Sequence, residues 1–242
     1  MSGSITLENR FGVNKMELIS LKYAIFVIVL LVLYYCFPKK YRWYVLLAGS
    51  MAYYVIICKW YVLFIIFTIC TTYGSTIWID KLLKKQNAIV KSHKEDWDRQ
   101  TRKEYKEKGR KKRVAVMLFA LLCNFGILAF LKYIPYAGEL GLLLPLGISF
   151  YTFQSMGYVM DVYREIVEPE KNFLKVALFV SFFPQIIQGP IAIYDKLAEQ
   201  LYEGHSLRLE NLQKGALLVL WGVMKKLVIA DRAVNILSLI HI

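Results

Sequence analysis

The chain has 242 residues, of which 57% are hydrophobic and only 20% are charged. A soluble domain usually holds about 45–50% apolar and about 25% charged residues. The apolar residues here are collected in charge-free blocks separated by short charged segments, which is the pattern of membrane spans and not of a single soluble core. The sequence therefore predicts an all-α fold, a polytopic transmembrane helical bundle.

The formal net charge of +13 raises the question of a nucleic-acid partner. Most of the excess lies in one segment, because residues 81–113 hold fourteen basic and five acidic residues. A nucleic-acid-binding protein would spread such charge over a folded surface with groove-reading or aromatic elements. A basic loop between spans is instead explained by the bias that retains Lys and Arg on the cytoplasmic side. We predict a lipid bilayer as the environment and no nucleic-acid partner.

Six apolar blocks are predicted as spans, and a seventh block is weaker. A hydrocarbon layer about 30 Å thick needs about 20 helical residues, which most of these blocks supply with their flanks. The weak block is interrupted by Lys225 and Lys226, which either anchor the inner leaflet or contact an anionic donor. The predicted spans cover residues 19–37, 43–58, 60–79, 114–131, 140–160 and 176–194, and the weak one covers 215–230.

Basic residues also orient these spans. The segment 38–42 carries three cations and precedes the basic loop 81–113 by two spans, so both are predicted to be cytoplasmic. The N-terminus and residues 133–138 are then predicted to face outside. The basic loop itself is rich in helix formers with mixed charges. We interpret it as a solvated charged helix or a partly disordered loop, with an amphipathic helix on the inner leaflet as the alternative.

The four cysteines all lie inside apolar blocks, and none forms a CxxC pair or neighbours a His at ligand spacing. We therefore predict neither a metal site nor a disulfide framework, and interpret the cysteines as small apolar fillers. No cleavable signal peptide is predicted, because the first apolar block runs into Pro38 without a small-residue cleavage site.

From residue 140 onward the apolar blocks carry proline and polar residues at their centres. Pro145 precedes one such group, and Pro184 and Pro190 bracket another. A proline within a span interrupts the backbone hydrogen bonds, so the broken segment must be buried in protein or line a wet cavity. We therefore predict broken or re-entrant segments whose polar side chains line a substrate path, with interhelical hydrogen bonding as the alternative. These side chains belong to Ser149, Gln154, Gln185 and Gln188.

Two charged residues follow the block 140–160. Asp161 and Arg164 are three residues apart, which is the spacing of neighbours on one helix face. They either form a local ion pair at the membrane face or belong to the substrate path and contact a donor phosphate. Both alternatives remain open from the sequence.

Specific motifs follow one another over residues 144–191. They read LPLGISFYTFQ at 144–154, DVYR at 161–164, ALFVSFFPQ at 177–185 and GPI at 189–191. This run resembles the membrane-bound O-acyltransferase family, in the branch of the bacterial alginate O-acetyltransferases. It is more distantly similar to the D-alanyl transferases of teichoic acid. The order of the earlier spans and of the basic loop fits as well, so the resemblance covers nearly the whole chain.

The resemblance implies an O-acyltransferase of the bacterial plasma membrane. Such an enzyme takes an acyl group, typically acetyl from a cytosolic thioester such as acetyl-CoA, to a hydroxyl of an exported cell-surface polysaccharide. The donor is a substrate, and no tightly bound cofactor is expected. A partner protein outside the membrane is expected to complete the transfer in some systems. The reaction needs a base that removes the hydroxyl proton, and histidine is the usual one.

The resemblance places the catalytic histidine downstream of the region that this chain matches. His93 and His205 lie in charged or polar segments, and His241 lies in a tail that does not continue the family pattern after Arg232. No catalytic residue is therefore assigned, and we expect an N-terminal portion that is inactive alone. A non-catalytic transporter, or a scaffold of a polysaccharide export complex, is the alternative. A transporter would be expected to show internal repeats, and the proline-containing motifs have no second copy.

Overall fold

The computed structural model describes residues 21–93, 97–133 and 147–230. Within those residues every regular element is helical, so the prediction of an all-α fold is confirmed. Nine α-helices occur there, together with 3-10 turns at Lys39–Tyr41 and Lys59–Tyr61 and a π turn at Lys225–Ala230. The helices are α1 Leu21–Cys36, α2 Arg42–Cys58, α3 Val62–Ser92, α4 Arg99–Tyr133, α5 Ile148–Tyr163, α6 Phe173–Ser181, α7 Phe183–Gln188, α8 Tyr194–Tyr202 and α9 Leu209–Met224.

Among the described residues, two helical stretches are long and apolar enough to cross a membrane, Lys39–Ser92 and Arg99–Tyr133. The first combines α2 and α3 with the turns that precede each of them. Large apolar side chains cover the outer surface, among them Trp60 at 83% exposure and Leu122 at 73%. An apolar surface of this kind is costly in water and is the natural surface of a helix bundle in lipid.

The turn between α1 and α2 is held by Arg42. Its Nε donates a hydrogen bond of 2.9 Å to the carbonyl oxygen of Phe37, and its guanidinium lies 5.3 Å and 5.1 Å from the ring centroids of Tyr34 and Tyr35. A second guanidinium nitrogen donates to the carbonyl oxygen of His205. The segment that follows α8 therefore lies against the α1–α2 turn, at the end of the bundle that the sequence predicts to be cytoplasmic.

The predicted basic loop 81–113 is largely helical. Helix α3 continues to Ser92 and α4 begins at Arg99, so the basic residues extend two long helices. These helices have 31 and 35 residues, about 46 Å and about 52 Å at 1.5 Å per residue, which exceeds the thickness of a hydrocarbon layer. Ion pairs one turn apart support the extensions, with Lys84 bonded to Asp80 at 2.5 Å. A disordered loop is therefore excluded for the described residues of this segment.

The predicted span 176–194 is not one helix. Helix α6 ends at Ser181, Phe182 leaves the helical region with φ −60° and ψ 104°, and the short helix α7 carries Pro184 in its first turn. Pro184 has no backbone N–H, so it is tolerated only where a new helix begins. Residues 189–193 then lead back to α8.

The ends of this broken segment meet. The hydroxyl of Tyr202, at the end of α8, donates a 2.8 Å hydrogen bond to the carbonyl oxygen of Lys175, near the start of α6. The end of α8 thus returns to the start of α6, and we call residues 173–202 the re-entrant segment. The predicted break within this span is confirmed. The weak predicted span 215–230 corresponds to α9 and the π turn, and no described residue of α9 is buried.

Candidate functional site

A buried polar seam lies where the broken segment meets the rest of the bundle. Helices α2 and α5 each contact both α6 and α7. On α5, Ser155 is fully buried and Gln154 is 3% exposed; in the broken segment, Ser181 is fully buried and Gln185 is half-buried. Ser50 on α2 is also fully buried. We call the set of Ser50, Gln154, Ser155, Ser181 and Gln185 the polar seam.

Gln154 caps the break between α6 and α7. The carbonyl oxygen of Phe179 lies within the last turn of α6, where carbonyls lack intrahelical donors. The Nε2 of Gln154 supplies the missing donor at 2.9 Å. The N–H of Phe183, four residues after Phe179, points instead to the Oγ of Ser50 at 3.4 Å. Two side chains of the polar seam therefore pair backbone groups that the break leaves without helical partners.

Other atoms of the polar seam have no protein partner in the described residues. They are the Oγ of Ser155, the Oγ of Ser181 and the Oε1 of Gln185, all buried. A buried polar group without a partner costs about 1–3 kcal/mol, so native proteins keep few of them. Such atoms are the natural hydrogen-bonding partners of an internal water or of a polar ligand.

Aromatic pairs involve residues on the same helices as the polar seam. The rings of Tyr54 and Tyr151 meet edge to face with centroids 6.3 Å apart. The ring of Phe183 lies 5.3 Å from that of Tyr53 and 5.3 Å from that of Phe26. Aromatic pairs at these distances stabilise a fold beyond the burial of their area, so they help to hold α1, α2, α5 and α7 together.

A second cluster fixes the two ends of the re-entrant segment. The rings of Tyr158 on α5 and Tyr194 on α8 stack with centroids 4.1 Å apart, and the hydroxyl of Tyr158 accepts a 2.8 Å hydrogen bond from the N–H of Glu170. Lys175 lies 4.7 Å from the ring centroid of Tyr202 and 3.7 Å from a carboxylate oxygen of Glu170. Burial raises the pKa of Tyr202, so its hydroxyl stays protonated and remains a donor.

The structure places only some of the predicted path residues in the polar seam. Gln154 and Gln185 belong to it, and Ser149 is half-buried in the first turn of α5. The side chain of Gln188 lies outside the described residues. Asp161 comes seven residues after Gln154, about 10 Å further along α5, and is not brought to the seam. That these side chains line a substrate path stays a prediction.

Asp161 and Arg164 do not pair with each other in the structure. Asp161 is half-buried, Arg164 is exposed, and no ion pair within 4.0 Å joins their described side chains. Arg164 is the C-cap of α5, and its N–H still donates to the carbonyl oxygen of Met160, so the two residues keep helical spacing without pairing. The local ion pair is therefore not formed.

The histidines of the described residues lie on the surface. His93 is exposed at the end of α3 and stacks on Trp97 with centroids 4.9 Å apart. His205 is exposed beside the α1–α2 turn, with Nε2 3.0 Å from the carbonyl oxygen of Gln200. His241 lies outside the described residues. In the part of the chain that the structure describes, no group of three His, Cys, Asp or Glu side chains could hold a metal ion.

Comparison with curated proteins finds bacterial O-acetylases among the relatives of this chain. The probable alginate O-acetylase AlgI of Pseudomonas syringae pv. tomato is 40% identical over 89 residues, 37% of this chain and 17% of that protein. The probable alginate O-acetylase AlgI of Azotobacter vinelandii is 34% identical over 114 residues, 47% of this chain and 21% of that protein. The resemblance to the alginate O-acetylase branch is thereby confirmed.

A peptidoglycan O-acetyltransferase of Helicobacter pylori is also similar to this chain. It is 31% identical over 157 residues, 49% of this chain and 30% of that protein. The chain thus spans less than a third of the length of each of these relatives. No family model and no solved structure matches the chain.

Three members of the polar seam were not among the predicted path residues: Ser50, Ser155 and Ser181. Ser155 directly follows Gln154, whereas Ser50 and Ser181 are single serines within apolar blocks, with no proline or amide in the adjacent positions that would single them out. The available signal is weak: a small hydroxyl residue amid large apolar ones is common at helix contacts in membranes. Their role depends on the long-range contact of α2 with the broken segment.

Proposed function

We propose that the chain forms part of a multi-pass O-acyltransferase of the bacterial plasma membrane that acetylates an exported cell-surface polysaccharide. The similarity to alginate O-acetylases and to a peptidoglycan O-acetyltransferase is the observation that carries this proposal. The polar seam supports it, since a transfer between the two sides of a membrane needs a polar passage within the bundle. The proposed donor is a cytosolic thioester such as acetyl-CoA, used as a substrate.

In the proposed reaction a sugar hydroxyl oxygen attacks the thioester carbonyl, its proton passes to a base, and the thiol leaves. The seam atoms of Ser155, Ser181 and Gln185 would hold and orient the hydroxyl-bearing acceptor, which lowers the entropic part of the barrier. The surface positions of His93 and His205 support a base from outside the described residues. We propose that this base is a histidine downstream of the matched region, and that a partner outside the membrane completes delivery.

The proposed orientation is tested by two cysteines on one helix. Gln100 is exposed near the start of α4, and Tyr133 is 72% exposed at its end. In a background without the four native cysteines, Gln100→Cys should be labelled by an impermeant maleimide only after permeabilisation. Tyr133→Cys should be labelled in intact cells. Labelling of Gln100→Cys in intact cells would contradict the orientation.

The proposal that this chain holds the acceptor while a downstream histidine supplies the base is tested by expressing this chain alone in an acetylation-deficient host. Without the base we expect no measurable ester, since general base catalysis typically contributes about 10²–10⁴-fold. Ester should appear on the surface polysaccharide when the downstream region of a relative is supplied on a second chain. Ester formed by the chain alone would show that a base lies within it. Export of polysaccharide that depends on the chain, with no ester under either condition, would favour the transporter or scaffold.

A further inference from the structure

A cavity of about 510 Å³ opens between α3 and α4, away from the polar seam. Its polar lining comprises four basic side chains, two carboxylates and two amides. The basic side chains belong to Lys103, Lys106, Arg110 and Arg113, the carboxylates to Glu107 and Glu165, and the amides to Gln86 and Asn87. Four cations against two carboxylates leave the lining with a net positive charge.

Arg113 is the exceptional member of this lining, because its side chain is only 10% exposed. One guanidinium nitrogen donates to the Oε1 of Gln86, and another lies 3.8 Å from a carboxylate oxygen of Glu165, whose side chain is 54% exposed. The Nε is buried and has no hydrogen-bond partner in the described residues. A guanidinium has five N–H donors, and a buried charge needs close compensation. One long contact to an exposed carboxylate compensates this charge poorly.

The cavity wall that holds Arg113 is built from side chains with fixed positions. The Nε2 of Gln86 donates a 3.0 Å hydrogen bond to the carbonyl oxygen of Lys106, which leaves its Oε1 facing Arg113. This arrangement requires a glycine at position 109, since a Cβ there would lie 2.4 Å from the Oε1 of Gln86. The guanidinium is therefore oriented by a neighbour that is itself oriented.

We propose that this cavity binds a phosphate group, with Arg113 as its buried fork and Arg110, Lys103 and Lys106 at its mouth. Planar guanidinium donors match phosphate oxygens, and surrounding lysines add charge attraction. Arg113 directly precedes the predicted span 114–131, so the phosphate lies at the membrane boundary on the predicted cytoplasmic side. Two sources fit that position: the headgroup of an anionic inner-leaflet phospholipid and the nucleotide portion of a soluble thioester. The binding does not depend on the proposed acyl transfer.

The experiment measures binding to the purified 242-residue protein in a neutral detergent. The probes are dihexanoyl-phosphatidylglycerol and coenzyme A, with dihexanoyl-phosphatidylcholine and dephospho-coenzyme A as controls for net charge and for the 3′-phosphate. We expect at least one anionic probe to bind by calorimetry and to raise the midpoint of thermal unfolding. Arg110→Gln, at an exposed position, should weaken that binding about tenfold, the value of one charge-assisted hydrogen bond. Lys108→Gln is the matched control, because Lys108 lies on the same helix outside this cavity.

A second variant disturbs the cavity without removing a charge. Gly109→Ala keeps every charge and displaces Gln86, so it should weaken the same probe while Lys108→Gln does not. If the substitutions weaken only the binding of the anionic lipid, the phosphate belongs to a phospholipid headgroup. If they weaken only the binding of coenzyme A, it belongs to the nucleotide portion of the thioester. Absence of binding by both anionic probes, or equal binding in the parent, Arg110→Gln and Gly109→Ala proteins, would overturn the proposal. Ester synthesis is not part of the readout, so failure of the proposed function would not affect the result.

Discussion

Replacing Gly147 by alanine is expected to destabilise the bundle by about 2–4 kcal/mol, the combined cost of a left-handed backbone and of overpacking. Gly147 precedes α5 with a φ of +69°, a left-handed backbone conformation that is unfavourable for residues with a Cβ atom. A Cβ at this position would lie 2.3 Å from the carbonyl oxygen of Ile186 on α7. Because that atom is backbone, α5 and α7 must move apart. The measurement is the midpoint of thermal unfolding in detergent, which should fall by several degrees.

Gly157→Ala on the same helix is the matched control. No atom lies within 4 Å of a Cβ at position 157, which is within the regular part of α5. Alanine there should leave stability unchanged or raise it by about 0.5–1 kcal/mol, since glycine disfavours helix interiors. If Gly147→Ala unfolds at the same temperature as Gly157→Ala, the close contact between α5 and α7 is wrong.

Gln154→Leu is expected to cost about 1–3 kcal/mol, because it removes the side-chain donor that the structure provides for a carbonyl in the last turn of α6. Leucine has nearly the volume of glutamine, so the main loss is the 2.9 Å hydrogen bond to Phe179. The helix break at Phe182 leaves that carbonyl without an intrahelical partner. We expect faster hydrogen exchange in α6 and α7 than in α3, together with a lower unfolding midpoint.

Gln200→Leu serves as the control for the change from amide to aliphatic side chain. Gln200 is exposed on α8, and its side chain takes part in no hydrogen bond among the described residues. Its substitution should change the free energy of unfolding by less than about 0.5 kcal/mol, so the unfolding midpoint should hardly move. Equal effects of the two substitutions would show that Gln154 does not cap α6.

The helices could be predicted from the sequence because apolar blocks and charge placement are local signals. The end of α6 near Pro184 follows from the missing N–H of proline, which needs no tertiary information. The route after the break could not be predicted. Whether the chain crosses the membrane or returns depends on contacts such as that between Tyr202 and Lys175, which are 27 residues apart. The basic segment was harder to interpret for the same reason, since α3 and α4 stabilise each other's extensions.

From the sequence, the candidate site could be predicted only at amide side chains, because burying an amide in an apolar block costs free energy unless it is hydrogen-bonded. Gln154 and Gln185 are amides within apolar blocks, and the structure places both in the polar seam. A serine in an apolar block is a weaker indication of a site than an amide. Ser50 and Ser181 can therefore be recognised only from the packing of α2 against the broken segment. The cationic cavity was missed because Arg113 stands in a run of solvated cations. Its burial depends on Gln86, 27 residues earlier.

The central claim, that the polar seam serves acyl transfer to a polysaccharide, is tested most directly by ester content in a chimaera. In Pseudomonas syringae, residues 21–230 of this chain would replace the corresponding residues of alginate O-acetylase. We expect O-acetylated alginate from this chimaera. Ser155→Ala should keep its thermal stability, since it removes a buried unpaired hydroxyl, and should lower ester content about tenfold by losing one hydrogen bond to the acceptor. A stable chimaera without ester, or equal ester with and without Ser155, would contradict the claim.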